Sequence, residues 1–91
     1  MNERYRLVLA PSATRALRNK LKPSVAFSLF EFMDKVICEA PRRLGKPLTG
    51  PFDGFFSARR GAYRVVYQID EKARTVEVTT VDHRADVYRP R

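Results

Sequence analysis

Across residues 4–10 apolar and polar side chains alternate, with Tyr5, Leu7 and Leu9 set against Arg4, Arg6 and Val8. A period of two predicts a strand with one better-buried face. Pro11-Ser12 then opens a helical stretch, with Ser12 the expected N-cap. Ala13, Ala16, Leu17 and Leu21 fall on one side of it, and Arg15, Arg18, Lys20 and Lys22 on the other. Pro23 suits the first turn of a second helix, where its missing N–H has no helical partner in any case. There Val25, Leu29, Phe32, Met33 and Val36 recur at helical spacing, and Phe27, Phe30 and Ile37 broaden the stripe. A face that wide suits a core helix with a margin left for a partner. The helix ends at Ala40-Pro41, because the residue before a proline is pushed out of the α region.

Residues 41–54 hold three of the six prolines and three of the four glycines, which predicts a loop with defined turns. Extended structure resumes over residues 54–60, Gly61-Ala62 makes a tight turn, and residues 63–69 form the clearest strand. Its alternation places Val65, Tyr67 and Ile69 on one face and Arg64, Val66 and Gln68 on the other. A second turn over residues 70–73 leads into a Val/Thr-rich strand over residues 74–82. The order β-α-α-β-β-β predicts an α+β fold: a small, mostly antiparallel sheet with two helices packed on one face and the other face open. Residues 1–91 are expected to form one domain.

Composition narrows the function. Lys and Arg total 18 against 10 acids, a formal charge of +8, and such an excess favours a polyanionic partner. The single cysteine, Cys38, cannot close an intramolecular disulfide and reads as a buried structural thiol. Arg4 and Arg6 interrupt the apolar start, so no signal-peptide pattern is visible, and no apolar run approaches the ~20 residues that span a bilayer. A soluble, cytoplasmic protein without a membrane partner is the expectation. One Cys and one His make no zinc set on their own, and there is no phosphate-binding G-x-x-x-x-G-K-[ST] loop. No metal or other cofactor is expected.

The remaining chemistry is that of Arg, His and Tyr, which suits a phosphodiester. A metal-free ribonuclease uses the substrate's 2′-OH as nucleophile. It needs a base for that proton, an acid for the leaving 5′ oxygen, and cations for charge growing on the phosphoryl oxygens. Arg64 and Arg84 are candidates for the phosphate clamp, since a guanidinium fork matches two phosphate oxygens and stays charged. Tyr88 is a candidate base if neighbouring arginines lower its pKa, and His83 is the other, titrating near neutrality without help. Arg42, Arg43, Lys46, Arg59 and Arg60 are candidate RNA-backbone contacts.

Several segments together resemble the RelE branch of the RelE/ParE toxin superfamily: Arg43-Leu44-Gly45-Lys46-Pro47-Leu48, Ser57-Ala58-Arg59-Arg60-Gly61 leading to Tyr63-Arg64-Val65-Val66-Tyr67, and the closing His83-Arg84-Ala85-Asp86-Val87-Tyr88. The resemblance spans essentially the whole chain. It implies the toxin of a type II toxin–antitoxin pair that cuts mRNA in the ribosomal A site and leaves a 2′,3′-cyclic phosphate. By position, Arg64 would bind the scissile phosphate or serve as the acid, Arg84 would stabilise the transition state, and Tyr88 would act on the 2′-OH. The implied partners are the ribosome with its mRNA and rRNA, and a cognate RelB-like antitoxin whose acidic amphipathic segment forms a hetero-oligomer with the toxin. The sequence departs from the family at Phe55 and Ser57, where its best-known members carry two lysines. Arg59 and Arg60 could compensate, or His83 could shift the acid/base assignment. Two alternatives follow from the same fold, a ParE-like toxin that inhibits DNA gyrase and a catalytically silent RNA-binding module.

Overall fold

The alternating segments become strands and the helical stripes become helices in the computed structural model, which describes residues 4–83. In chain order they are β1 (Arg6–Leu9), α1 (Pro11–Arg15, continued as a wider π-type coil over Ala16–Lys20), α2 (Pro23–Glu31, continued likewise over Phe32–Ile37), α3 (Pro41–Leu44), β2 (Lys46–Pro47), β3 (Phe56–Arg60), β4 (Tyr63–Asp70) and β5 (Thr75–His83). The sheet runs β1-β5-β4-β3-β2, antiparallel throughout except that β1 lies parallel to β5. Residues 41–54, expected as a loop, carry α3, β2 and a short 3-10 turn over Gly50–Phe52. These pieces are too short for periodicity to reveal.

Period-two alternation sorts the sheet. Ala58, Val65, Tyr67, Val76, Val78 and Val81 face the helices and are buried against Ala13, Leu29, Phe32, Met33 and Ile37. On β5 the buried valines change parity between Val78 and Val81. A bulge makes that possible: Tyr67 pairs with Val78 and Val66 with Thr80, leaving Thr79 as the extra residue. Its carbonyl accepts a hydrogen bond from the Ser12 hydroxyl at 2.5 Å, and its own hydroxyl donates to the Val66 carbonyl at 3.2 Å. Ser12 therefore does not cap α1. The helix starts one residue earlier at Pro11, with Ala10 at the cap and no side-chain bond, because Pro11 already supplies the fixed φ of a first turn.

The second helix turns a narrower face inward than its stripe suggested. Leu29, Phe32, Met33, Ile37 and Cys38 are buried, whereas Phe27, Phe30 and Val36 remain exposed, Phe27 at 65%.

Tyr67 holds the segment after α2 in place. Its ring is buried and stacks on Phe56 with centroids 5.7 Å apart. Its hydroxyl donates to the Pro41 carbonyl at 2.6 Å. Gly45 has φ −100°, open to any residue, so its missing side chain is a matter of space. A Cβ there would lie 2.2 Å from the Tyr67 hydroxyl and 2.9 Å from Cζ. Burial pushes this phenol up to about 12 and the Cys38 thiol up to about 11.

Gly45→Ala should lower stability by about 2–4 kcal/mol, as overpacking displaces the phenol and loosens its bond to Pro41. Tyr67→Phe should lower it by about 1–2 kcal/mol, the loss of one buried donor. In urea unfolding the double variant should be less destabilised than the sum, because the alanine methyl and the hydroxyl compete for one space. Additive losses would show that the two positions are not in contact.

Both neutral forms are favoured by folding, so their contribution is complete below the unfolded-state pKa and is lost as pH rises through the folded one. Wild-type stability should fall from pH 9 to pH 11 by up to about 3 kcal/mol through Cys38. Cys38→Ala, followed by urea midpoint against pH, should lack that part of the fall. Parallel curves would remove the thiol from the account.

Candidate nucleic-acid interface

The register of β3, β4 and β5 places two rows of candidate side chains back to back. In one row Arg59 pairs with Arg64, which in turn pairs with Asp82. In the next row Arg60 pairs with Tyr63, and Tyr63 with His83. Consecutive residues of a strand point to opposite faces. Arg60, Tyr63 and His83 share the helix-packed face with Ala58, Val65 and Val81. Accordingly the Arg60 guanidinium lies 5.7 Å from the Phe32 ring centroid, and His83 meets Tyr63 edge-on with centroids 5.3 Å apart. Arg59, Arg64 and Asp82 share the uncovered face.

Lys46 joins them there. It is the cross-strand partner of Ser57, which itself pairs with Val66. Direct partners hold their Cβ atoms about 4.5–5.5 Å apart, so the β2 ammonium stands beside the position where Ser57 brings no charge. Three cations thus gather on the β2-β3-β4 half of this face. The other half is different: three carboxylates, Asp70, Glu71 and Glu77, and one cation, Lys72, line a shallow depression of about 590 Å³ together with Val8, Gln68, Ile69 and Thr75. The open face is therefore divided into a cationic half and a carboxylate-bearing half, with Asp82 beside Arg64 at the boundary.

Like charges placed directly across a ladder repel. The Arg59–Arg64 pair accordingly gains from any anion that settles between the two guanidiniums. A phosphodiester oxygen meets that requirement, with the planar forks offering paired N–H donors.

The sequence candidates thus separate. Lys46, Arg59 and Arg64 converge; Arg60 and His83 occupy the opposite face. Arg42 and Arg43 lie on α3, and the Arg42 Nε donates to Glu71 at 2.7 Å, near the far end of β4. Arg84 and Tyr88 lie outside the described residues. Asp82, the acidic neighbour of Arg64, was not singled out by the sequence. Counting back from the β4–β5 turn would have found it only with the bulge at Thr79 known. Among the described residues, no group of three or more His, Cys, Asp or Glu is placed to hold a metal ion, and no helix is long and apolar enough to cross a membrane.

Residues 7–88 match the family model described as the ParE toxin of type II toxin–antitoxin systems. This chain belongs to that toxin family. It is 44% identical over 85 residues to Toxin RelG of Mycobacterium tuberculosis, covering 93% of this chain and 97% of that protein. Toxin RelE of the same organism is 39% identical over 85 residues, covering 93% and 87%. The fold superposes on a chain of the toxin–antitoxin complex RelBE2 from M. tuberculosis with a TM-score of 0.85 at 42% identity, covering 91% and 94%. The α+β architecture of this toxin, with its five-stranded mostly antiparallel sheet, is that of its RelE-like structural relatives.

If the cationic half carries the phosphates, Lys46→Gln and Arg59→Gln should each flatten the dependence of log K on log salt, for a short single-stranded RNA, by about 0.7. Arg60→Gln, on the other face, should leave the slope unchanged. Equal effects of Arg59→Gln and Arg60→Gln in fluorescence anisotropy would contradict the division of faces.

Proposed function

We propose that this toxin is a metal-independent endoribonuclease that cuts mRNA in the ribosomal A site. The observation that carries the proposal is Arg64 standing opposite Arg59 on the uncovered sheet face, beside Lys46. The similarity to toxins named RelG and RelE supports the same assignment.

In this reaction the 2′-oxygen attacks the adjacent phosphorus. The O2′–P bond forms as the P–O5′ bond breaks, giving a 2′,3′-cyclic phosphate and a 5′-hydroxyl. One proton leaves the 2′-OH for a base, and one reaches the departing O5′ from an acid. Arg64 binds the scissile phosphate and Arg84 offsets the charge that grows on its oxygens, each such donor being worth roughly 3–4 kcal/mol of transition-state stabilisation. Tyr88 is assigned the 2′ proton. His83 is the weaker choice, because its ring packs against Tyr63 on the face opposite Arg64. Lys46, across from Ser57, supplies charge near the position where better-known relatives carry a lysine.

The partner completing the pair is a RelB-like antitoxin that covers these arginines and forms a hetero-oligomer with the toxin. The solved RelBE2 toxin–antitoxin complex supports it, and the exposed Phe27 and Phe30 of α2 offer apolar anchors to an acidic amphipathic segment. The working compartment is the cytoplasm, where ribosomes are. The ParE description of the family model favours gyrase inhibition as the second reading.

Primer extension on a defined mRNA in a purified translation system separates the two. Wild type should cut at A-site codons only when ribosomes are present. Arg64→Ala should reduce the rate by at least about 10²-fold, and Tyr88→Phe by about 10²–10⁴-fold. Intact mRNA together with inhibited supercoiling would transfer the function to gyrase.

A further inference from the structure

A second basic surface lies at the other end of the sheet from Arg64. The six residues separating Arg64 from Asp70 along β4 span roughly 20 Å at strand rise. There the Glu71 carboxylate accepts from the Tyr5 hydroxyl at 2.7 Å and from Arg42 Nε at 2.7 Å, with an Arg74 nitrogen at 3.5 Å. The Arg74 guanidinium carbon lies over the Tyr5 ring, 4.1 Å from its centroid, and Arg74 also donates to the Tyr5 hydroxyl at 3.0 Å. These bonds from Tyr5 and Arg42 hold the Glu71 carboxyl below the usual carboxylate range, so the hub stays charged and the two guanidiniums stay oriented. Arg74 itself has φ +56°, a left-handed conformation that costs about 1 kcal/mol or more in a non-glycine residue.

On either side of the Tyr5–Arg74 stack is a shallow recess. One, of about 350 Å³, is lined by Arg4, Tyr5, Arg6, Ala73 and Arg74. The other, of about 290 Å³, includes Arg42, Arg43 and Glu39 around the same stack. Five arginines and one carboxylate, Glu39, therefore line these walls, with Glu71 bonded to Arg42 beside them, while Arg4 also pairs with Asp34 at 3.0 Å. The apolar part of this lining is Ala40, Pro41, Ala73 and the Tyr5 ring, and the charge around it is mostly that of guanidiniums. Preoriented guanidiniums, one of them backed by an aromatic ring, suit phosphates of a folded RNA.

We infer that the Tyr5–Glu71–Arg74 cluster, with Arg42 and Arg43, is a second RNA-backbone site that grips structured RNA about 20 Å from the Arg64 face. The inference rests on the ribosome-dependent reading and names a further surface for that encounter. It moves Arg42 and Arg43 away from the scissile phosphate and onto the RNA around it.

The test is sedimentation binding of the full chain to 70S ribosomes across a salt series, beside anisotropy with a six-nucleotide single-stranded RNA. Arg43 is exposed on α3, so Arg43→Gln should keep its melting temperature, and Arg43→Gln/Arg74→Gln, which also gives up the exposed stack on Tyr5 and the contact to Glu71, should lower it only slightly. With ribosomes the double variant should lose about 1.4–1.8 units of salt slope, and the short RNA should bind as before. Arg43→Gln alone should lose about half as much, which keeps the test decisive if the double variant folds poorly. An unchanged ribosome slope in both variants would overturn the site. Equal losses on the six-nucleotide RNA would assign these arginines to the Arg64 face instead. Loss of binding to polyglutamate without loss on ribosomes would show a surface for an acidic protein. Wild type that ignores ribosomes altogether would sink the second site and the ribosomal reading together, whereas wild type that binds and cuts, with variant slopes unchanged, would sink the second site alone.

Discussion

The hydrogen bond from the Tyr67 hydroxyl to the Pro41 carbonyl carries more of this molecule than its size suggests. It joins the centre of the sheet to the first residue of α3, and it exists only because Gly45 leaves room for the phenol. Lys46 follows Gly45 by one residue and points to the uncovered face. Arg42 and Arg43 come just before it and belong to the opposite end of the sheet. Two groups of cations with different destinations are thus hung from one buried phenol. The polar hydroxyl is tolerated in the core because its single donor is satisfied.

Strand alternation does the rest of the sorting. Arg59 and Arg60 are neighbours in sequence, yet one faces Arg64 and the other packs over Phe32. The same rule places His83 behind the sheet from Arg64. The Thr79 bulge is what allows the alternation to persist along β5, since without it Val81 and His83 would trade faces with Asp82. Ser12 then closes the bulge's open carbonyl from α1, so a helix residue secures the register of a strand on which the pairing of Arg64 with Asp82 depends.

Much of this was legible in the sequence where a pattern was long enough to repeat. The alternation of Val65, Tyr67 and Ile69 marked a strand and its core face, and the stripe on α2 marked a helix, although Phe27, Phe30 and Val36 on it stay exposed. The same logic missed α3 and β2, each shorter than one period of evidence, and took Ser12 for a cap when Pro11 and Ala10 already made the start. It grouped Arg42, Arg59, Arg60 and Lys46 by charge alone. Charge carries no direction, so their separation onto two faces and two ends needed the register. The Glu71 hub was invisible for a related reason: Tyr5, Arg42 and Arg74 are far apart in the chain and meet only when β1 lies against β5.

That parallel pairing also gives the fold a timetable. β1 is made early and β5 late, yet they are neighbours in the sheet, with β5 lying between β1 and β4. A growing chain can wind α1 and α2 and close the β3–β4 hairpin from local contacts, but the slot between β4 and β1 stays vacant until residues 75–83 arrive. Until then the inner faces of α1 and α2 lack the three valines that cover them. Contacts between distant parts of a chain form slowly because the intervening loop must first be closed. The core therefore completes in one late step, when β5 slides between β1 and β4, both already made.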